Sequence, residues 1–436
     1  MVDRRAIEPL RGAPNTEPHS YRVPGSKSIT NRALLLAALA AGESTIERAL
    51  FSDDTHYMSD ALRRLGIPVD SDPRETDLYR GEVFHVRGCG GSIPAREARL
   101  ETGNAGTAAR FLAACACLGH GRFIVDGNER MRQRPIGDLL DALRQLGAGM
   151  SSSTGCPPVT VDADGLPGGT ARVKGERSSQ YLSALLMVAP YAQHDVDLEV
   201  VGELIAKPYI DLTLGVMSQF GVTVARDGYQ RFHVPHGQCY RSQAHYLVEP
   251  DASSAHYLLA AAALTGMRVR IEGLTTASLQ GDARFVEVLE QMGATVTRHP
   301  NVLEVLGPSQ LRGIDADLNA ISDTAPTVAV LATFAHSASR VRNVAHIRLQ
   351  ESDRLGNVAA ELRKLGAKIE EHDDGWTIEP SSLHGGEVEP YDDHRLAMAF
   401  SLIGLRVPGI VIRNPDCVRK TFPDFFEQLQ GLRVRQ

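Results

Sequence analysis

The segment MSDALRRLGIPV (residues 58–69) is the first of six related copies of one structural unit in this chain of 436 residues. Its apolar residues Met58, Leu62 and Leu65 fall at i, i+4 and i+7, which predicts a helix with one buried face. Gly66 follows, where the C-cap of a helix favours a residue in the left-handed conformation. The segment therefore predicts an outer helix that ends at a glycine.

Five further copies of this pattern follow along the chain. They read LLDALRQLGAGM, LTLGVMSQFGVTV, VEVLEQMGATV, VAAELRKLGAKI and FFEQLQGLRV. The six glycines are Gly66, Gly147, Gly221, Gly293, Gly366 and Gly431, at intervals of 81, 74, 72, 73 and 65 residues. After the fourth glycine, residues 295–297 alternate Thr-Val-Thr, which is typical of a strand. Such a period indicates an internally repeated fold.

A second helix also recurs six times and is apolar on every side. Its copies read ALLLAALAA, AARFLAACACL, YLSALLMVAP, AHYLLAAAAL, PTVAVLATFA and LAMAFSLIGL, and they begin near Asn31, Thr107, Ser179, Ser253, Ala325 and Leu396. A helix without a polar face must be buried on all sides, so the amphipathic helices are expected to shield it from water. Each unit thus reads as a strand, a buried helix, a strand, an outer helix and further strand.

The repeats predict an α/β fold of two similar lobes, each built from three β/α units with buried central helices. One hydrophobic core seldom extends over 436 residues, which also favours two domains. We expect a lobe boundary near Val248–Glu249 and a chain crossing near Tyr21–Pro24. The pattern does not determine the order of the strands.

The composition and the charge argue against several classes of protein. With 43% apolar and 23% charged residues the chain is typical of a globular protein, and its apolar stretches are shorter than the ~18 residues that span a membrane. The charged N-terminus lacks an apolar signal region, which predicts a cytoplasmic protein. A net charge of −7 argues against nucleic acid as a partner. The six cysteines are too widely spaced for a disulfide framework, and no cluster has metal-ligand spacing.

Polar residues cluster directly before the buried helices, in PGSKSITNR, ETGNAGTAAR, ERSSQY, EPDASSAHY, ISDTAP and YDDHRLA. Many of them are good N-caps, and for EPDASSA capping is a sufficient explanation. Capping does not explain the cations in these segments, because a cation opposes the positive end of a helix dipole. These cations are Lys27, Arg32, Arg110 and Arg395. An anion bound between each cation and its helix would remove the conflict, so the pattern predicts small anionic ligands.

Further cations lie at the predicted ends of other elements. The run NERMRQRPIG carries Arg130, Arg132 and Arg134 before Pro135, which suits the first position of a helix. Lys420 stands at the start of the last outer helix. One basic run is usually a solvated face, but several at element ends favour a shared site.

Candidate acid–base groups lie in the same segments. They are Lys27, Asp323, Glu351 and His394. His394 stands between an aspartate and an arginine, so a structural role explains it equally well. The chain has no GxSxG or GxGxxG motif, and PGSKS lacks the earlier glycine of a phosphate-binding P-loop.

These segments together resemble the 5-enolpyruvylshikimate-3-phosphate synthase family. The matching motifs are PGSKSITNRALLLAALA, GNAGTAAR, RMRQRPIG, SSQYLSALLM, KPYIDLT, DASSAHYLLAAAAL, QGDARF, ESDRL, DDHRLAMAFSL and KTFPDFFEQL. Each motif is weakly specific alone, whereas all of them in family order over residues 24–429 are highly specific.

The resemblance implies a fold and a reaction. The fold would be an inside-out α/β barrel in each lobe, with two interlobe crossings and the active site in the cleft between lobes. Lobe 1 would hold residues 1–22 and 249–436 (repeats 4–6), and lobe 2 residues 23–248 (repeats 1–3). The reaction would transfer the carboxyvinyl group of phosphoenolpyruvate to shikimate 3-phosphate and release phosphate, in a monomer without metal or organic cofactor and without a membrane partner.

The resemblance also assigns site residues. Those implied to bind phosphoenolpyruvate are Lys27, Gly106, Arg134, Gln180, Arg354, Arg395 and Lys420. Those implied to bind shikimate 3-phosphate are Ser28, Arg32, Ser178, Ser179, Gln180, Tyr209, Asp323, His346 and Gln350. The proton-transfer set would be Lys27, Asp323 and Glu351. Our hypothesis is that Glu351 protonates the methylene carbon while the other two serve the acceptor hydroxyl.

The chain departs from the family pattern at four positions. Gln350, Ala206, His346 and Phe111 stand where members commonly have Lys, Ser, Asn and Pro. By resemblance the first three lie around the acceptor phosphate, where Arg348 or His346 could compensate. An enolpyruvyl transferase with an unphosphorylated acceptor therefore stays open. A UDP-sugar transferase is disfavoured because Ser28 follows Lys27 and the loop 127–137 has no cysteine, and a non-catalytic binding protein would not need the acid–base groups.

Overall fold

The computed structural model describes residues 3–10, 17–75 and 80–432. The chain forms two compact units. One, called lobe 1 below, comprises Met1–Pro24 and Glu249–Gln436, and the other, lobe 2, comprises Gly25–Val248. Among the described residues, no helix is long and apolar enough to cross a membrane.

The described residues form 12 α-helices, which alternate along the chain between buried and amphipathic ones. They are α1 (Lys27–Leu39), α2 (Asp53–Arg64), α3 (Gly106–Ala116), α4 (Gly137–Gln145), α5 (Ser179–Val188), α6 (Pro208–Gln219), α7 (Ala252–Thr265), α8 (Phe285–Gln291), α9 (Ala325–Thr333), α10 (Arg354–Lys364), α11 (His394–Ile403) and α12 (Phe425–Gly431). Short 3-10 helices cover Met131–Gln133, Ala189–Tyr191, Gly281–Arg284, Asn319–Thr324, Ala345–Leu349 and Pro415–Lys420.

The strands are short, as repeated β/α units require. The first fourteen are β1 (Arg4–Ile7), β2 (Pro18–Tyr21), β3 (Ala41–Ala49), β4 (Val69–Glu75), β5 (Arg80–Cys89), β6 (Glu97–Glu101), β7 (His120–Asp126), β8 (Gly149–Ser151), β9 (Val159–Asp164), β10 (Gly169–Lys174), β11 (Val196–Val201), β12 (Ala225–Asp227), β13 (Arg231–Val234) and β14 (Tyr246–Leu247). The rest are β15 (Arg268–Glu272), β16 (Thr295–His299), β17 (Val302–Leu306), β18 (Asp315–Asp317), β19 (Ser339–Arg342), β20 (Lys368–His372), β21 (Gly375–Glu379), β22 (Gly386–Val388) and β23 (Ile410–Arg413).

Within the described ranges each lobe holds three sheets built on one plan, a parallel pair followed by antiparallel strands. The orders in lobe 2 are β14-β3-β5-β4, β6-β7-β9-β8 and β10-β11-β13-β12. The orders in lobe 1 are β2-β15-β17-β16, β18-β19-β21-β20 and β22-β23-β1. Parallel neighbours need a crossover, which a buried helix supplies in four sheets, as α3 does between β6 and β7.

The remaining two sheets receive their first strand from a distant part of the chain. In lobe 2, β14 pairs in parallel with β3, which comes almost 200 residues earlier. In lobe 1, β2 pairs in parallel with β15, and β1 pairs antiparallel to β23. The N-terminal segment therefore supplies strands to two sheets of lobe 1, a connection that the repeat pattern alone did not reveal.

The predicted all-apolar helices are buried, which confirms their interpretation. Every residue of α3, α9 and α11 is buried, as is α7 up to Leu264. In α1 and α5 the exceptions are Ser28 and Gln180 in the first turn. The sheets and amphipathic helices cover these helices, so each lobe has the predicted inside-out arrangement, and the buried helices approach the surface at their polar N-termini.

The glycine caps are confirmed in five copies and wrong in the sixth. Gly66, Gly147, Gly221, Gly293 and Gly366 all have a φ between +84° and +101°. Gly431 instead lies within α12 as its last helical residue. The strand predicted after it falls largely on residues 433–436, outside the described residues.

Candidate active site

The predicted site residues lie in two clusters, one in each lobe. Lobe 1 holds Asp323, His346, Gln350, Glu351, Arg354, Arg395 and Lys420, and lobe 2 holds Lys27, Ser28, Arg32, Gly106, Arg134, Ser178, Ser179, Gln180 and Tyr209. Most of them stand at or just before the N-terminus of a helix, where unpaired N–H groups and the helix dipole favour anions.

Arg354 is the centre of the lobe 1 cluster. It begins α10 with a side chain 1% exposed, and it donates to Asp323 Oδ1 (3.0 Å) and Glu351 Oε2 (2.8 Å). Its guanidinium also grips both oxygens of Asp393, at 2.8 and 3.1 Å. Burial alone would lower the pKa of Arg354, but the carboxylates of Asp393, Glu351 and Asp323 raise it above its ordinary value. Arg354 therefore stays charged and holds three carboxylates in place.

Asp393 is a member of this cluster that the sequence did not assign. It is the N-cap of α11, fully buried, and accepts from the backbone N–H of Arg395 (3.0 Å) and from Ser352 Oγ (3.0 Å). The residues before it, Tyr391 and Asp392, both have a φ of +56°, a strained conformation for side chains other than glycine. The backbone of residues 391–393 thus lets one aspartate both cap a helix and bind Arg354.

The two candidate acid–base carboxylates of lobe 1 each bond to two cations. Asp323 Oδ2 accepts from Arg395 Nη2 at 2.6 Å, while its other oxygen accepts from Arg354. Glu351 Oε1 lies 3.3 Å from Lys420 Nζ, and its Oε2 accepts from Arg354. Lys420 ends the 3-10 helix Pro415–Lys420, so it precedes α12 and does not begin that helix as predicted.

Two of the residues that depart from the family pattern, Gln350 and His346, have hydrogen-bond partners in lobe 1. Gln350 accepts from Arg354 Nη1 through its side-chain oxygen. His346 Nε2 lies 2.8 Å from Ser322 Oγ, and burial lowers the pKa of His346 to about 4, against a smaller opposing effect of Asp323. His346 is therefore neutral near pH 7, and Arg348 is already bound by Asp353 and Glu371. Neither residue supplies the free cation that could compensate for Gln350.

Lys27 opens the lobe 2 cluster at the first residue of α1. Ser26 caps the helix by accepting from the Ile29 N–H, as predicted for this segment. The Lys27 ammonium lies 3.5 Å from Asp54 Oδ2, and both side chains are at least nine-tenths buried. Asp54 lies in the first turn of α2, where an acidic residue complements the helix dipole, so its sequence position alone does not indicate a role in a site.

Arg32 is buried among three helices. It donates to Thr213 Oγ1 (2.8 Å), the Ser28 carbonyl (2.9 Å), Ser183 Oγ (3.4 Å) and the Tyr209 carbonyl (3.4 Å). Its guanidinium also lies over the Phe111 ring, 5.1 Å from the centroid. The described residues thus accept four of its five N–H groups. Burial lowers the pKa of Arg32 to about 10, because no described carboxylate pairs with it.

Arg134 combines burial with unused hydrogen-bond donors. Nη1 donates to the backbone and side-chain oxygens of Asn104, both at 3.0 Å. Its buried Nε has no acceptor among the described residues, and none of them accepts from Nη2. A Cβ on Gly106 would lie 2.4 Å from Arg134 Nη2, so the glycine lets this guanidinium approach the start of α3. Arg134 therefore presents a largely buried cation to that helix N-terminus.

The other arginines near this position have partners within the protein. Arg110 donates to the carbonyls of Gly106 (3.1 Å) and Pro135 (3.0 Å), and Arg132 binds both oxygens of Asp126. The prediction that Pro135 is the first residue of the next helix is wrong. Helix α4 begins two residues later, because the N–H groups of residues 136 and 137 bond to the Gly155 carbonyl.

The remaining lobe 2 residues lie around α5 and α6. Ser178 caps α5 by accepting from the Gln180 N–H (3.2 Å), and Ser179 is buried in the first turn. Tyr209 lies in the first turn of α6, after Ala206, which has a φ of +49°. The capping predicted for α7 is absent, since Asp251 Oδ2 accepts from Ser254 Oγ (2.7 Å) rather than from a backbone N–H.

Comparison with known proteins identifies the family. Residues 19–429 match the family model described as EPSP synthase (3-phosphoshikimate 1-carboxyvinyltransferase). The chain belongs to the EPSP synthase family. This match includes residues of both lobes and of all six repeats.

Similar members of the EPSP synthase family include bacterial and plant proteins. The 3-phosphoshikimate 1-carboxyvinyltransferase of Trichormus variabilis is 48% identical over 409 residues, which cover 93% of this chain and 94% of that protein. The chloroplastic 3-phosphoshikimate 1-carboxyvinyltransferase of Solanum lycopersicum is 48% identical over 430 residues, 94% of this chain and 82% of that protein. An EPSP synthase structure from Acinetobacter baumannii matches with a TM-score of 0.80 at 26% identity, over 99% of this chain and 98% of that one.

Proposed function

We propose that this chain transfers the carboxyvinyl group of phosphoenolpyruvate to the 5-hydroxyl of shikimate 3-phosphate and releases phosphate, a step of aromatic amino-acid biosynthesis. Membership of the EPSP synthase family and the names of its relatives support this activity. The structural observation that carries the proposal concerns Arg134. Its guanidinium is buried, and no described residue accepts a hydrogen bond from three of its N–H groups. A planar anionic group such as a carboxylate or phosphate supplies the missing acceptors.

In lobe 2, the proposal assigns anion binding to the cations and helix N-termini. Arg134, Lys27 and the backbone at Gly106 would bind phosphoenolpyruvate, with Gln180 beside them. Ser28, Arg32, Ser178, Ser179 and Tyr209 would bind the acceptor. All of these residues except Arg32 and Arg134 lie in the first turns of α1, α3, α5 and α6 or at the cap of α5, which supports the assignment because those turns carry unpaired N–H groups.

In lobe 1, the proposal assigns proton transfer to the paired carboxylates. Glu351 would protonate the methylene carbon, while Asp323, with Lys27, would take the proton of the attacking hydroxyl. The tetrahedral adduct would then expel phosphate. An anionic substrate that draws Arg354 and Lys420 away from Glu351 makes protonation of that carboxylate easier, since opposite charges favour its ionised form. Arg354, Arg395 and Lys420 would therefore bind substrate and also control Glu351 and Asp323.

The identity of the acceptor is the part of the proposal on which the departures from the family pattern bear most directly. Gln350, Ala206 and His346 remove a cation and a hydroxyl from the expected phosphate position, and His346 is neutral near pH 7. Shikimate 3-phosphate remains the proposed acceptor because it is named in the family description and in the names of the relatives. A monomeric state and a cytoplasmic location also belong to the proposal, although the tomato relative is named chloroplastic.

Phosphorus NMR of a single reaction tests the activity. Purified protein is incubated with phosphoenolpyruvate and shikimate 3-phosphate, and both phosphorus signals are followed with time. We expect the phosphoenolpyruvate signal to be replaced by that of free phosphate while the acceptor signal shifts to that of its enolpyruvyl ether in equal amount. Phosphate without ether would indicate hydrolysis, and unchanged substrates would contradict the proposed activity.

A further inference from the structure

A further buried carboxylate, Asp282, faces Asp323 of the lobe 1 cluster and has no role in the proposed reaction. It belongs to the 3-10 helix Gly281–Arg284, within the motif QGDARF. Its side chain is 4% exposed and accepts from Ser253 Oγ through Oδ2. Its other oxygen, Oδ1, is buried without a hydrogen bond to any described residue. A buried oxygen without a hydrogen bond is costly to the folded protein, which indicates that this carboxylate has a function.

The turn that carries Asp282 is fixed to the N-terminus of α7. Gln280 Oε1 accepts from the Ala252 N–H (3.0 Å), and Gln280 Nε2 donates to the Pro250 carbonyl (2.8 Å). Two residues later, Asp282 bonds to Ser253, the second residue of α7. Side chains on both sides of Gly281 therefore hold Asp282 in one position, and the QGD motif serves to place this carboxylate.

The position of Asp282 couples it to the ion pair of Asp323 and Arg395. Its 3-10 helix packs against the 3-10 helix Asn319–Thr324, which carries Asp323. The charges that face it are Asp323, Arg395 at the start of α11 and Asp251 at the N-cap of α7. His256 on α7 is neutral, because burial lowers its pKa to about 3. Arg284 and Glu287, on its own turn and on α8, pair with each other at the surface.

We propose that Asp282 is a positioning residue whose ionisation governs how firmly Arg395 is held by Asp323. Asp323 holds Arg395 at 2.6 Å, and a neutral Asp282 does not compete for that cation. When Asp282 ionises, a second negative charge attracts Arg395 and repels the Asp323 carboxylate, which makes Asp323 a stronger base for the acceptor hydroxyl. This inference rests on the proposed function, since it assigns Asp282 to that reaction.

The surroundings of Asp282 bring its ionisation close to neutral pH. Burial, followed by the negative charge of Asp323, raises the pKa of Asp282 to about 7, while Arg395 and the Ser253 hydrogen bond lower it less. Asp282 is thus neutral below pH 7 and charged above it. We expect kcat to rise as pH increases through about 7, as Asp323 becomes a stronger base.

The test compares pH profiles of kcat for wild type, Asp282→Asn and Ser253→Ala between pH 5.5 and 8.5. The amide stays neutral, so D282N should lose the step near pH 7 and keep the low-pH rate throughout. Ser253→Ala removes a hydrogen bond that favours the charged form, so its step should move to higher pH. Glu304→Gln is the control, because Glu304 is a buried carboxylate paired with Arg268 and Arg270 elsewhere in lobe 1. A step that persists in D282N, or a wild-type profile without one, overturns the proposal.

A second measurement separates this inference from the proposed function. Trp376, the single tryptophan, is buried in lobe 1, so its fluorescence reports the unfolding of that lobe. The raised pKa of Asp282 means that its contribution to stability is lost as pH rises from about 4 to about 7. D282N should therefore gain in urea midpoint relative to wild type as pH rises from 5.5 to 8.5. A constant difference overturns the inference, whereas a wild type without turnover overturns only the proposed reaction.

Discussion

The two clusters of candidate residues place similar cations in opposite settings. In lobe 1, Arg354, Arg395 and Lys420 each bond to a carboxylate of the protein. In lobe 2, Arg32 and Arg134 bond to carbonyl, hydroxyl and amide oxygens, and no carboxylate in the described ranges pairs with either. One cluster therefore balances its own charges, while the other, apart from the pair of Lys27 and Asp54, carries buried positive charge that a ligand can neutralise.

This difference separates two tasks that one reaction needs. A buried cation without a counter-charge is costly to the folded protein, and an anionic ligand removes that cost on binding. A buried network of paired charges stabilises the fold and also holds carboxylates ready to exchange protons. We therefore expect substitutions in lobe 2 to affect substrate binding, and substitutions in lobe 1 to affect turnover or stability.

The largest expected effect is that of Glu351→Gln on turnover. The amide cannot deliver the carbon proton, so kcat should fall by about 10²- to 10⁴-fold, the usual contribution of a general acid. Glu304→Gln is the matched control, a buried glutamate of the same lobe between two arginines, and it should retain wild-type turnover. Steady-state phosphate release measures both, and near-normal kcat in E351Q would remove Glu351 from the mechanism.

The next largest effect is on stability, and it contrasts the lobes directly. Arg354→Met leaves Asp393 buried without its main counter-charge, which should cost about 3–5 kcal/mol. Arg134→Met removes a cation that has no counter-charge, so its cost should be about 1 kcal/mol or less. Trp376 donates to the Leu355 carbonyl (3.0 Å) beside Arg354, so urea unfolding followed by its fluorescence reports the first change. Circular dichroism reports the second, and equal losses would erase the distinction between the clusters.

A smaller effect is expected on the affinity for phosphoenolpyruvate. Arg134→Gln removes charge-assisted hydrogen bonds worth about 1.5–3 kcal/mol, so KM for phosphoenolpyruvate should rise by about 10- to 100-fold while kcat changes less. Arg132→Gln is the control in the same loop, because Arg132 is bound to Asp126. An unchanged KM in R134Q, or an equal rise in R132Q, would contradict the assignment of Arg134.

The smallest effects test the repeated scaffold rather than the site. Gly293→Ala places a side chain at a φ of +101° and should destabilise lobe 1 by about 1–2 kcal/mol. Gly431→Ala should instead stabilise it by about 0.5–1 kcal/mol, since this glycine is helical. Both changes are read from the Trp376 unfolding curve. The same sign for both would mean that the sixth repeat ends like the others.

Much of the fold could be predicted because it depends on local patterns. A helix that is apolar on every side must be buried, and α7 and α11 are buried as this rule predicts. The first five glycines were equally readable, since a left-handed cap favours glycine. The sheets that β1, β2 and β14 join could not be predicted, because their partner strands lie hundreds of residues away and short strands carry little specific pattern.

The sequence predicted the class of ligand for the candidate site, but it did not predict the contacts between the side chains. Cations at helix N-termini indicated anionic ligands, and the resemblance supplied residue roles. The sequence could not show that Asp393 binds Arg354 across 39 positions, or that Arg32 is almost fully occupied by oxygens of its own lobe. Pairing between distant side chains depends on tertiary packing, which a one-dimensional pattern does not record.

The measurement that tests the central claim most directly is the initial rate of phosphate release from phosphoenolpyruvate with shikimate 3-phosphate, with shikimate, or with no acceptor. The account predicts rapid release with shikimate 3-phosphate and background release in the other two cases, which would make Gln350, Ala206 and His346 tolerated variants. Release that is as fast with shikimate, or that needs no acceptor, would contradict the account and direct attention to those three positions.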